Sequence, residues 1–255
     1  MTSYKTITCG IDNGIGRLTF NRPETLNAMD KRMMDEIIDG LEVITRPGAA
    51  SVGIIAGSGR AFMAGADIKE YSRQTPEEFK VFQEKGRRLY GLIEQANIPF
   101  IAAVNGFALG GGFEIALACD FIVAAASAKL GLPEVHLGLI PGGGGAQRLL
   151  QRIGMARTKE MLLLGQSYTA ARMEEWGVVH AVAEDEMLND VVGKLAEKLS
   201  RRPAQAVKAI KTMLEPSAVE AAFETRLDKE GASVAALFHT PEAAQLIKQF
   251  TEKSK

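Results

Sequence analysis

Cysteine is scarce in this chain, with Cys9 and Cys119 the only two in 255 residues. They stand too far apart for metal-ligand spacing and are too few for a secreted disulfide framework, so a reducing compartment is expected. Histidine is almost as sparse. His136, His180 and His239 are dispersed along the chain and outline no metal site; each reads as structural or solvated, with His136 closest to a candidate acid. A surplus of either charge is also missing, since 30 Lys plus Arg face 31 Asp plus Glu for a formal net charge of −1. No overall field therefore favours a nucleic acid or another polyanion.

An uninterrupted apolar run of membrane length is absent. The charge-free stretch from Gln95 to Phe113 comes nearest, but Pro99, Asn105 and a glycine cluster would leave backbone groups unsatisfied in lipid. It reads as a buried strand plus a loop. The start MTSYKTITCGIDNG lacks the basic and apolar regions of a secretory signal, so a cytoplasmic location is expected. Phosphate-loop signatures are missing too: Gly193-Lys194 is followed by Leu195, and GGGGAQRL at 142–149 lacks the third glycine of a dinucleotide fingerprint and follows a proline. Gly57-Ser58-Gly59 is not the elbow of a serine hydrolase.

What is present is an ordinary globular composition, 46% hydrophobic and 24% charged, in a chain long enough for one large domain or a domain with an appendage. YKTITCGI, Asp12-Asn13-Gly14 and IGRLTF predict a hairpin. Met29, Met33, Ile37, Leu41 and Ile44 fall at helical spacing, which predicts a helix over 28–45 capped by Asp30 or Asn27. Apolar runs at 51–57, 100–104 and 121–125 predict buried parallel strands, and a helix begins at Pro76 and runs to about Ala96. That arrangement sets the loops after Gly57 and Asn105 at one edge of a sheet. Beyond about residue 141 the pattern is mostly helical, apart from GVVHAVA. Residues 203–255 read as helices whose apolar stripe (Val207, Ile210, Met213, Leu214) is expected to pack on another subunit.

One residue breaks the apolar pattern. Glu114 lies in GFEIALAC, just after three consecutive glycines, and a carboxylate buried there costs several kcal/mol unless it is partnered or neutralised. It could also point to solvent or favour its own helix N-terminus. The glycines permit close approach and leave N–H groups at the helix start, which is the geometry of an anion or oxyanion site. AGADIKE, 64–70, brings Ala66 to the same sheet edge as Gly111, and GLPEVHLGLIPGGGGAQRL, 131–149, adds Glu134. Two N–H groups can hold a carbonyl oxygen, and two glutamates can move a proton and activate a water.

Together NRPETLNA (21–28), AFMAGADIKE (61–70), IAAVNGFALGGGFEIALACD (101–120), GLPEVHLGLIPGGGGAQRL (131–149) and the helical tail resemble the crotonase superfamily, and within it the enoyl-CoA hydratases, along essentially the whole chain. The resemblance implies an α/β fold, a spiral of repeated β-β-α turns over 1–199 followed by a helical segment over 200–255 for subunit assembly. It implies that the N–H groups of Ala66 and Gly111 bind the thioester oxygen of an acyl-CoA. Glu114 would then activate water and Glu134 transfer a proton at Cα. Ala64, Ala66, Asp67, Ile68 and Lys69 would lie along the CoA moiety, and Phe62 and Met63 are large enough to shape the acyl pocket.

The same resemblance implies a trimer or a dimer of trimers, no metal and no prosthetic group, coenzyme A being part of the substrate. The basic-aromatic ending of family members is replaced here by QLIKQFTEKSK, so no phosphate contact carries over to Lys248 or Lys253. Isomerase, dehydratase and hydrolase chemistry on the same scaffold stay open, as does a binding protein for RNA or a protein partner. Both glutamates and the near-zero net charge weigh against the last.

Overall fold

A computed structural model describes residues 4–214 and 222–253. The chain opens with strands β1 (Ile7–Asp12) and β2 (Ile15–Phe20), then helix α1 (Lys31–Thr45), strands β3 (Val52–Gly57) and β4 (Ala61–Met63), and helices α2 (Ile68–Tyr71) and α3 (Pro76–Glu94). Strands β5 (Phe100–Val104) and β6 (Phe107–Leu109), helix α4 (Gly111–Ala118) and strands β7 (Phe121–Ala125) and β8 (Lys129–Gly131) follow. The remainder comprises α5 (Gly145–Leu164), β9 (Ser167–Thr169), α6 (Ala170–Glu175), β10 (Ala181–Ala183), α7 (Leu188–Ser200), α8 (Ala204–Leu214), α9 (Ala222–Phe238) and α10 (Pro241–Lys253).

Local chemistry accounts for the first elements. Asn13 and Gly14 both take positive φ, 49° and 75°, which is the two-residue turn whose twist suits a hairpin, and β1 pairs antiparallel with β2 across it. Asp30 caps α1 by accepting the Met33 N–H at 2.7 Å, and the face carrying Met33, Ile37, Leu41 and Ile44 is buried. Asn27, the alternative cap, is engaged elsewhere. Its buried amide donates to the carbonyls of Ser58, Ala61 and Phe62, tying this loop to the β3–β4 segment. A Thr75–Glu78 capping box with Pro76 in the first turn starts α3.

Two sheets result. The larger has the order β1-β2-β3-β5-β7-β10, with every pairing after the first hairpin parallel; the smaller has the order β4-β6-β8-β9. VGIIAG, FIAAV and FIVAA are almost wholly buried, as continuous apolar runs in a doubly covered parallel sheet must be. GVVHAVA supplies β10, paired with β7. Each central strand of the large sheet is followed at once by a short strand of the small one: β3 by β4, β5 by β6, β7 by β8. This is the repeated β-β unit of the α/β spiral. Periodicity alone did not reveal the short strands, because three residues are too few to show a period of two.

The extra strands change how the loops reach the site. Residues 64–67 and 110–112 do not leave the large sheet directly; they follow β4 and β6, which are parallel neighbours in the small sheet. Their ends therefore emerge side by side. Phe62 and Met63, expected to shape a pocket, are instead fully buried core residues, with Phe62 set edge-on to Phe20 at 5.2 Å. Trp176 packs at the end of α6 against Tyr168, 4.8 Å between ring centroids, as its place near a helix end indicated.

The tail divides into two parts. Helix α8 is tethered by the Lys211 ammonium, 2.6 Å from Asp120, and leaves Ile210 and Leu214 exposed. The second part folds back on its own chain, where Val234, Phe238, Ala243 and Ile247 form a separate core cluster with Phe79 and Leu139. Residues 222–253 thus have an apolar surface to cover within the chain, which the sequence pattern did not disclose. The Met213 and Lys253 side chains lie outside the described set.

Candidate active site

A cavity of about 400 Å³ opens where the ends of β4 and β6 meet α3, the 131–145 segment and the folded-back tail. Ala64, Ala66, Ile68, Gly111, Glu114 and Glu134 all line it. Asp67 and Lys69 do not. Asp67 caps the short helix α2, accepting the Glu70 N–H at 3.4 Å, and its other oxygen lies 3.4 Å from the Arg22 guanidinium. Lys69 is exposed on α2.

The two amides arise from different local causes. Around Ala66 the chain makes a parallel bridge with Met29: the Met29 N–H donates to the Gly65 carbonyl at 2.8 Å and the Asp67 N–H to the Met29 carbonyl at 2.9 Å. Alternation along an extended segment then turns the Ala66 peptide N–H away from Met29. Gly111 is the first residue of α4, where a helix has no internal acceptor for its N–H.

In the glycine triplet before Glu114, the first and third positions have separate reasons to be glycine. Gly110 holds φ at 51°, and a methyl group there would sit 3.2 Å from the Glu134 carboxylate and 3.7 Å from Gly65 Cα. A methyl on Gly112 would lie 2.2 Å from the Met63 carbonyl oxygen, so α4 can pack on β4 only without one. Gly111 meets nothing closer than 3.5 Å.

Glu114 is only 3% exposed. It does not turn to solvent or to its own helix N-terminus. Its Oε1 accepts the N–H groups of Gly143 and Gly145 at 2.8 and 2.9 Å, at the start of α5, and its Oε2 accepts the Tyr90 hydroxyl at 3.4 Å. Burial pushes the Glu114 carboxyl above the usual carboxylate range, while the two N–H groups, Arg148 and Tyr90 oppose that rise. A methyl on Gly143 would come within 2.2 Å of the Tyr90 ring, and one on Gly145 within 3.0 Å of Glu114. The 142–145 glycine cluster, unassigned by any phosphate motif, is a cradle for a carboxylate.

Glu134 begins a short 3₁₀ turn, Glu134–Leu137, after Pro133 and is half-buried. Burial raises the Tyr71 and Tyr90 hydroxyls, and both glutamates raise them further, so both tyrosines stay protonated beside the acids. His136 lines the cavity with its Nε2 3.1 Å from the Gly165 carbonyl oxygen, an anchor for the 3₁₀ turn. Tyr71, Tyr90 and Arg148 were not singled out from the sequence, and Gly143 and Gly145 stood out only as part of a glycine cluster that fits no dinucleotide fingerprint. Of these, only the glycines carried a local signal. Among the described residues no group of three or more His, Cys, Asp or Glu side chains could hold a metal ion.

Two amides and two acids around one largely apolar cavity are the equipment of an acid–base enzyme working next to a polarised carbonyl. Residues 10–255 match the enoyl-CoA hydratase/isomerase family, and the chain belongs to it. A probable enoyl-CoA hydratase of Rhizobium meliloti is 38% identical over 99% of this chain and 97% of its own. A crotonyl-CoA hydratase of Syntrophomonas wolfei is 35% identical over 99% and 97%. The crystal structure of an enoyl-CoA hydratase/isomerase from Mycobacterium paratuberculosis superposes with a TM-score of 0.90 at 27% identity, covering 97% of this chain and all of the other. No described helix is long and apolar enough to cross a membrane.

Proposed function

We propose that the protein hydrates 2-enoyl-CoA thioesters to 3-hydroxyacyl-CoA. The thioester oxygen accepts the Ala66 and Gly111 N–H groups, which stabilise the negative charge that collects there as the double bond is attacked. Glu114 takes a proton from water, the hydroxyl oxygen bonds to Cβ, and a proton is delivered to Cα from the side of Glu134. The observation that carries this reading is the presence of two carboxylates in one cavity with the paired loop amides. A neighbouring pair of acids titrates jointly, so neither residue owns a fixed proton in the resting site. No metal ion or prosthetic group takes part in this scheme.

Incubation with crotonyl-CoA should remove the enone absorbance and yield 3-hydroxybutyryl-CoA. A shifted double bond or free coenzyme A as the product would instead identify an isomerase or a hydrolase of the same family. Glu134→Gln is expected to lower kcat about 10²-fold with little change in KM, the usual worth of a positioned acid–base group. Steady-state kinetics decides this, and undiminished turnover would remove Glu134 from the mechanism.

The CoA moiety is assigned to the 64–69 segment, with Ala64 and Ile68 on the cavity side and the exposed Lys69 ammonium free to meet a phosphate. Asp67, engaged with Arg22, serves the segment's shape. Assembly is assigned to the α8 face, where Leu117, Phe121, Leu199, Val207, Ile210 and Leu214 border a groove of about 590 Å³. An exposed apolar groove of this kind favours contact with another copy. Ile210→Asp should lower the sedimenting mass; a parent protein that is already monomeric would end that assignment.

A further inference from the structure

We propose that the pair formed by the buried Arg148 and the half-buried Glu94 is a positioning device for Glu114, locking the 143–145 segment so that its N–H groups meet one carboxylate oxygen. This rests on the hydratase reading, in which Glu114 is the base. Arg148 is 4% exposed, and its Nε and Nη2 grip the two Glu94 oxygens at 2.6 and 2.7 Å. Its remaining terminal nitrogen donates to the Gly143 carbonyl. That fixes the peptide plane beside the Gly143 N–H, which donates to Glu114 Oε1 together with that of Gly145.

The same guanidinium lies over the Tyr90 ring, 5.4 Å from its centroid, and the Tyr90 hydroxyl reaches the other Glu114 oxygen. Both oxygens of Glu114 are therefore set by groups that Arg148 touches. A glycine-rich segment has the most backbone freedom to lose, so an external clamp has something to hold. Stability alone is a weak reason for the pair, because the buried guanidinium gives up its hydration to meet a carboxylate that keeps part of its own, and desolvation of that kind offsets much of the attraction. The charged and titratable groups around Glu114 are Tyr90 and Glu94 from α3, Arg148 and Arg152 from α5, Tyr71 from α2 and Glu134 from the 3₁₀ turn. Arg152 is occupied with the Leu117 and Cys119 carbonyls at the far end of α4.

The test is the pH profile of kcat/KM for crotonyl-CoA hydration by the full chain and by Arg148→Met, Arg148→Lys and Glu94→Gln. Loss of the positive charge in Arg148→Met makes Glu114 harder to ionise, so the acid limb should move to higher pH and kcat should fall about tenfold or more, the worth of one charge-assisted hydrogen bond. Arg148→Lys keeps the charge but loses the fork, so kcat should fall with the limb in place. Glu94→Gln leaves the arginine charge unneutralised, and the limb should move to lower pH. A merely structural pair would change the melting temperature and leave every limb where it was. Folded Arg148→Met with a wild-type limb overturns the proposal; if that variant does not fold, an unmoved limb in Glu94→Gln overturns it and a shift to lower pH supports it. Absence of hydration by the wild-type chain removes the hydratase reading and this one with it, whereas turnover with unmoved limbs removes only the clamp.

Discussion

Glu114→Gln lowers kcat for crotonyl-CoA hydration by about 10³-fold and changes acyl-CoA affinity little. The substitution is nearly isosteric, and the amide oxygen can go on accepting the Gly143 and Gly145 N–H groups that now meet Oε1 at 2.8 and 2.9 Å. The glycine cradle and the cavity wall therefore stay in place. What disappears is the capacity to accept a proton from water, since a neutral amide is no base at any working pH. Glu114→Ala is a poorer test, because two buried N–H groups would lose their acceptor at a cost of about 1–3 kcal/mol each and mix instability with lost chemistry. Turnover measured beside calorimetric binding of acyl-CoA separates the two effects. Full activity in the glutamine variant would take the base role away from Glu114.

Gly111→Pro is expected to reduce kcat by about 10²- to 10³-fold, the range seen when an oxyanion donor is removed, and also to weaken acyl-CoA binding. Proline is tolerated at the first position of a helix, because the N–H it lacks has no partner inside the helix. Gly111 occupies that position in α4, and added atoms at its Cβ meet only Met29 Cε and the Tyr90 hydroxyl, each at 3.5 Å. The helix should thus survive while the donor is lost and a ring fills the place of the thioester oxygen. Gly112→Ala tests something else, as its methyl would be driven into the Met63 carbonyl and unseat α4 from β4. Retained turnover in a folded Gly111→Pro variant would dismiss the amide pair. Circular dichroism shows whether the variant is folded.

Legibility in the sequence followed the length of the local signal. β3, β5 and β7 announced themselves as continuous apolar runs, and α1 and α3 as long stripes with caps, so their ends were placed within a few residues. Strands β4, β6 and β8 did not, since three residues show no period and their pairing partners lie far along the chain. The intrachain cover of the tail was not legible for a related reason. An amphipathic helix declares that it has an apolar face but not what will cover it; here α9 found its cover on α3, and α10 on the 3₁₀ turn of the same chain.

The sequence by itself determined the family, the parallel-sheet class, the glycine-marked loops and the two glutamates brought to one cavity, because each is written in residue types that are contiguous or closely spaced. Only the tertiary structure decided how Glu114 is held. Its partners are the N–H groups of residues 143 and 145, a tyrosine from α3 and, behind them, an arginine clamped by Glu94. Main-chain donors carry no side-chain signature, and contacts between segments tens of residues apart follow from the packing of α3, α4 and α5. The ionisation of a buried acid is set by those contacts and by the water they exclude.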